Sequence, residues 1–128
     1  MFSYRHAFHC GNHADVLKHT ALLAVLNYMT EKAVGITVLD SHAGAGLYRL
    51  DGQYARTSQE SDEGVLRLLQ AQQNKEVEFA PALENYLNLL KKGNPQDAPV
   101  LNYPCSPLLV QSQLRTMDRL KAYEIHPN

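Results

Sequence analysis

The chain has 128 residues, 45% of them hydrophobic and 20% charged, with a formal net charge of −1. That length suits one domain with a modest core, and the composition excludes a disordered, collagenous or repetitive chain. Near-neutral charge gives no overall attraction to a polyanion, so any RNA contact must come from a local patch.

Tyr4, Arg5, His6 and His9 interrupt any signal-peptide core at the start of the chain. The longest apolar run, Ala21 to Leu26, falls far short of the roughly 20 residues of a membrane span. A cytoplasmic protein with no membrane contact is expected. Cys10 and Cys105 are too few and too far apart for a disulfide scaffold, so both are read as free thiols.

In chain order, Val16, Leu17, Ala21, Ala24, Val25 and Tyr28 predict an amphipathic helix from Ala14 to about Lys32. Ile36, Thr37, Val38 and Leu39 are β-branched or apolar and predict a short, buried parallel strand. This strand delivers Asp40 to the run Asp40-Ser41-His42-Ala43-Gly44-Ala45-Gly46. Gly44 and Gly46 permit positive φ and let backbone amides approach a ligand, as in a nucleoside-cofactor loop. An ordinary tight turn has the same signature.

Beyond Gly46, Glu60, Asp62 and Glu63 read as a solvated helix start complementing the helix dipole, followed by a helix opening at Val65, Leu66, Leu68 and Leu69. Pro81 opens another helix, whose Leu83, Tyr86, Leu87 and Leu90 form a packing stripe and whose end is marked by Lys91, Lys92 and Gly93. Val100 to Tyr103 suits a short extended segment. Ser106 and Pro107 form an N-cap and first-turn pair for a helix reaching about Arg119, and Leu120 to Ile125 reads as a second strand.

A dinucleotide-type unit needs an acidic residue about 20 positions past its glycine loop to hold ribose hydroxyls. Glu124 lies 78 residues past Gly46 but only 18 past Ser106. Removing the middle of the chain restores the spacing. The expected organisation is therefore a nucleoside-cofactor core formed by residues 1–49 and 105–128, with residues 50–104 as an inserted helical subdomain.

The opening Ser3-Tyr4-Arg5-His6-Ala7-Phe8-His9-Cys10-Gly11-Asn12-His13-Ala14-Asp15-Val16-Leu17-Lys18-His19-Thr20 is far more specific than the glycine pair. With Asp40 to Gly46, Tyr103-Pro104-Cys105-Ser106-Pro107 and Glu124-Ile125-His126-Pro127, it resembles the bacterial 23S rRNA (adenine-N6)-methyltransferase J family along its whole length. The same family has also been described as taking part in the catabolism of external DNA.

The resemblance implies an α/β, Rossmann-like methyltransferase that uses S-adenosyl-L-methionine, carries a helical insertion and acts on 23S rRNA. It also implies cofactor contacts at His19, His42, Ser106 and Glu124, and an RNA contact at Tyr4. On physical grounds Lys18 could answer the cofactor's carboxylate, and Asp40, Gly44 and Gly46 shape the loop. Arg5 adds a phosphate partner beside the Tyr4 ring.

Two departures from the family stand out. Cys105 occupies a position where the family usually has glycine, and no Asp-Pro-Pro-Tyr segment is present to grip an adenine amino group. The expectation is an incomplete, amino-terminal part of the fold, inactive by itself and inclined to self-associate through exposed strand edges. The competing expectation is a non-catalytic homologue that binds nucleic acid or a partner. A zinc site at His6, His9, Cys10 and His13 is conceivable from helical spacing, but Gly11-Asn12 would interrupt the helix, so no metal is expected there. No cluster of carboxylates supports a nuclease.

Overall fold

The computed structural model describes residues 6–51, 59–94 and 102–125. Tyr4 and Arg5, and so both expected RNA contacts, lie outside the described residues, as does Val100. After a 3-10 turn at His6–Phe8, helix α1 spans His13–Met29, β1 Thr37–Asp40 and β2 Leu47–Arg49. A second 3-10 turn, Glu60–Asp62, leads into α2 (Val65–Gln73), followed by α3 (Pro81–Lys92), β3 (Asn102–Pro104), α4 (Ser106–Gln113) and β4 (Arg119–Ala122).

The strands form two small sheets. β1 and β4 are parallel, pairing Thr37 with Arg119 through to Asp40 with Ala122. β2 and β3 are antiparallel, pairing Leu47 with Pro104 and Arg49 with Asn102. The described residues thus hold four short strands: β1 and β4 answer to the two strands expected from sequence, β3 overlaps the extended segment expected at Val100 to Tyr103, and β2 has no counterpart because a strand of three residues carries no periodic signal.

Helix α1 begins where Asn12 accepts the Asp15 amide on its side-chain oxygen at 2.9 Å. Its buried row is Val16, His19, Leu23 and Leu26, with Asp15 alongside. This corrects the apolar stripe read from sequence: of those residues only Val16 is buried, while Leu17 and Tyr28 are 72% and 69% exposed. The helix is apolar on two sides, and the side that includes His19 faces the core. Strand β1 departs similarly, being parallel as expected but open on one face, with Leu39 65% exposed.

One core joins the segments: Val16 and Leu23 of α1, Val65 and Leu69 of α2, Tyr86, Leu87 and Leu90 of α3, Tyr103 of β3 and Leu109 of α4. Pro81 sits in the first turn of α3 as expected. Helix α4 stops at Gln113, short of the expected Arg119, because Leu114 turns extended and the chain closes a compact turn. In that turn Asp118 accepts the Arg115 amide at 2.8 Å and its guanidinium at 2.9 Å. The same carboxylate accepts the Ile36 amide at 2.9 Å, and the Arg115 guanidinium donates to the carbonyls of Lys32 and Val34. The entries to β1 and β4 are thereby tied together.

Glu60 is not a solvated helix start: its carboxylate lies 2.8 Å from His9 Nδ1 and accepts from Asn12 Nδ2 at 3.3 Å. It binds the second 3-10 turn to the start of α1.

Candidate cofactor site

Parallel β1 and β4 end side by side, and the chain leaves each strand toward the same edge. Tyr123 donates its amide to the Asp40 carbonyl at 2.8 Å, and Ala43 donates to the Tyr123 carbonyl at 3.0 Å. The carboxyl ends of parallel strands are where α/β folds place ligands. Over them runs the turn from Ser41 to Gly46. Gly44 has φ +70° and Gly46 φ +86°, a conformation that side chains rarely adopt.

The turn is held from three sides. Gly44 donates its amide to Glu124 Oε1 at 2.9 Å, which fastens the turn to the end of β4. Ala45 donates to Tyr48 Oη at 3.0 Å from beneath. Cys105 donates its amide to the Gly46 carbonyl at 2.8 Å, which brings in the start of α4. At the strand end, Asp40 Oδ1 accepts the His42 amide at 3.2 Å, and Oδ2 accepts the Ser106 hydroxyl at 2.5 Å.

Asp40, His42, Gly44, Gly46, Ser106 and Glu124 are thus gathered around one turn. Ser106, however, is not the N-cap: Cys105 holds that position, and the Ser106 hydroxyl is spent on Asp40 instead. His42 is exposed, with Nδ1 2.8 Å from the Ser41 hydroxyl.

His19 and Lys18 belong to a neighbouring group under α1. His19 is completely enclosed. Its Nδ1 lies 3.2 Å from Tyr103 Oη and 3.4 Å from Tyr86 Oη, and the two hydroxyls are 2.6 Å apart. Burial depresses its pKa to about 4, partly offset by the Asp15 carboxylate. Burial alone would raise the pKa of Asp15, but hydrogen bonding from His6, the charge of His19 and the Gly11 amide together pull it well below the carboxylate range. Lys18 Nζ stands 3.6 Å from Asp15 Oδ1. A cleft of about 310 Å³ lies here, lined by His6, His9, Asn12, Ala14, Asp15 and Lys18.

Tyr86 packs in the core, as its helical spacing implies, and its hydroxyl is hydrogen-bonded as well. The hydroxyl contacts of Tyr48, Tyr86 and Tyr103 have no signal in the sequence, since periodicity cannot tell a packing ring from one whose hydroxyl has a partner.

The fold is mixed α/β, with a glycine turn over the ends of two parallel strands and the Glu124 carboxylate, two residues past β4, hydrogen-bonded to it. The family model described as ribosomal RNA large subunit methyltransferase D, RlmJ, matches residues 33–128, and the chain belongs to that family. It is 41% identical over 128 residues to ribosomal RNA large subunit methyltransferase J of Escherichia coli, and 37% identical to the protein of that name from Haemophilus influenzae. The chain spans 44% of the length of each. A crystal structure of a Legionella pneumophila protein superposes with a TM-score of 0.78 at 32% identity, covering 91% of this chain and 40% of that one.

Proposed function

We propose that this chain forms the amino-terminal portion of a Rossmann-like methyltransferase that takes S-adenosyl-L-methionine and modifies adenine N6 in 23S rRNA. The observation that carries the proposal is the Gly44–Glu124 hydrogen bond, which sets a carboxylate against a positive-φ glycine turn at the ends of parallel strands. A carboxylate so placed accepts two ribose hydroxyls, and the turn lets the nucleoside approach backbone rather than side chains.

In this reading Glu124 takes the ribose, Gly44 and Gly46 pass beneath it, and His42 and Ser106 flank it. Asp40 positions Ser106 and the His42 amide. Lys18, exposed on α1, answers the methionine carboxylate, and the enclosed His19 supports that side from behind, without itself touching the cofactor. The cofactor, when bound, supplies an electrophilic methyl group, and this chain's residues orient it and keep water away. Tyr4 and Arg5 meet the RNA by stacking and by phosphate pairing. Work on rRNA places the protein in the cytoplasm.

No helix among the described residues is long and apolar enough to cross a membrane. The test is calorimetric titration of the chain with S-adenosylhomocysteine. Binding at one site per chain supports the reading. A chain that folds but does not bind favours the rival, a non-catalytic module for nucleic acid or a partner.

A further inference from the structure

Three side chains from separate segments converge under the first turn of α1: His6 from the 3-10 turn, Asp15 from α1 and Cys105 from the β3–α4 junction. One ligand atom from each, an imidazole nitrogen, a carboxylate oxygen and the thiol sulfur, lies within 4.8 Å of the other two. The aspartate and the cysteine are buried. His6 Nε2 is 3.3 Å from Asp15 Oδ1. That matches the edge of a tetrahedron, about 3.3–3.4 Å when metal–ligand bonds are roughly 2.0–2.1 Å.

A second imidazole points at the same oxygen. His19 Nε2 is 3.6 Å from Asp15 Oδ1, on a side chain with no exposed surface, and has no hydrogen-bond partner among the described residues. A buried ring nitrogen without a partner is costly unless something occupies the space in front of it. Its other nitrogen, Nδ1, faces Tyr103 Oη at 3.2 Å. Metal-bound imidazoles are held in this way, since a partner on the far nitrogen fixes the tautomer and the ring plane.

We propose that His6, Asp15, His19 Nε2 and Cys105 form a binding site for a borderline-soft divalent cation of the zinc class. Two nitrogens, one oxygen and one sulfur suit zinc, whereas magnesium and calcium take oxygen ligands. The cleft of about 310 Å³ reaches His6 and Asp15 and gives the ion its entry path. Lys18, the cation now 3.6 Å from Asp15 Oδ1, has a half-exposed side chain that can swing outward as the ion takes its place.

On binding, the Cys105 S–H bond breaks, a sulfur–metal bond forms and the proton leaves to solvent, so affinity falls as pH is lowered. The bound ion clamps the N-terminal turn to α1 and to the start of α4. This site shares only His6 with the helical His6, His9, Cys10, His13 pattern. His9 is paired with Glu60, and the Cys10 thiol donates to the Ala7 carbonyl at 3.4 Å.

The test uses the full chain, stripped of metal with a chelator and titrated with Co²⁺, then with Zn²⁺. The expected result is one Co²⁺ per chain, a sulfur-to-cobalt charge-transfer band, visible absorption of tetrahedral intensity, and displacement by Zn²⁺. Cys105→Ser should abolish the band and His6→Ala should weaken binding by about tenfold or more, while Cys10→Ser leaves both unchanged. Circular dichroism checks each variant, with Cys105→Gly read in place of Cys105→Ser if the latter does not fold. No binding, a complex without the sulfur band, or a band that survives loss of Cys105 overturns the proposal. None of these readouts depends on binding of a nucleoside cofactor.

Discussion

Gly44 donates its backbone amide to the Glu124 carboxylate at 2.9 Å, across 80 residues of sequence. The bond joins the turn after β1 to the end of β4, so the geometry of the candidate site depends on the conformation of one glycine. An alanine there would carry φ +70° and place its Cβ 2.6 Å from Tyr48 Oη. At Gly46, φ is +86° but the nearest atoms to an added Cβ are at 3.6 Å, ordinary contact. Gly46→Ala should therefore cost roughly 1–2 kcal/mol, the left-handed penalty alone, and Gly44→Ala clearly more. Urea denaturation of both variants measures the difference, and adding Tyr48→Phe to Gly44→Ala should recover part of the loss.

Tyr86, Tyr103 and His19 form a buried hydrogen-bonded trio. Tyr103→Phe leaves a neighbouring buried polar group short of a partner, at a cost of about 1–3 kcal/mol. Because the two hydroxyls are only 2.6 Å apart, Tyr86→Phe with Tyr103→Phe should cost less than the two single changes added together. A double-mutant cycle by thermal or urea unfolding reports the coupling, and strict additivity would contradict the network.

How much of this was legible in sequence follows from the length of each signal. Long periodic segments such as 81–92 carried their own ends, with proline at the start and Lys91-Lys92-Gly93 at the close. The glycine turn and Glu124 were found from residue type and spacing. β2 and β3 are too short for periodicity, and the buried side of α1 was misread because Leu17, Val25 and Tyr28 form a second apolar row as regular as the one facing the core. The crossed roles of Ser106 and Cys105 at the start of α4, and that of Glu60, depend on contacts 48 to 66 residues distant that no local pattern encodes.

Acid should destabilise the metal-free chain. Burial lowers the His19 pKa from 6.5 to about 4, so between those values the unfolded chain binds more protons than the folded one. Stability then rises with pH across that window and falls as pH drops from 6.5 toward 4, by up to about 3 kcal/mol. Asp15, whose pKa is depressed by its hydrogen bonds and by His19, adds further loss below the ordinary carboxylate range. Melting temperatures measured with chelator present should fall over pH 6.5 to 4, and His19→Gln should flatten that slope.

Leu39 of β1 and, just past β4, Tyr123 and Ile125 are exposed, at 65%, 56% and 91%. Open strands carrying apolar side chains pair with other chains. Sedimentation velocity should show association that grows with concentration, and Leu39→Lys should reduce it.

The account depends most on Glu124 holding a nucleoside against the Gly44 turn. Calorimetric titration with S-adenosylhomocysteine, comparing the parent chain with Glu124→Ala, tests this directly once circular dichroism shows both folded. Hydrogen bonds to a charged group are worth roughly 1.5–3 kcal/mol, so the account predicts affinity about 10- to 100-fold weaker in the variant. Equal affinity in the two proteins would contradict it.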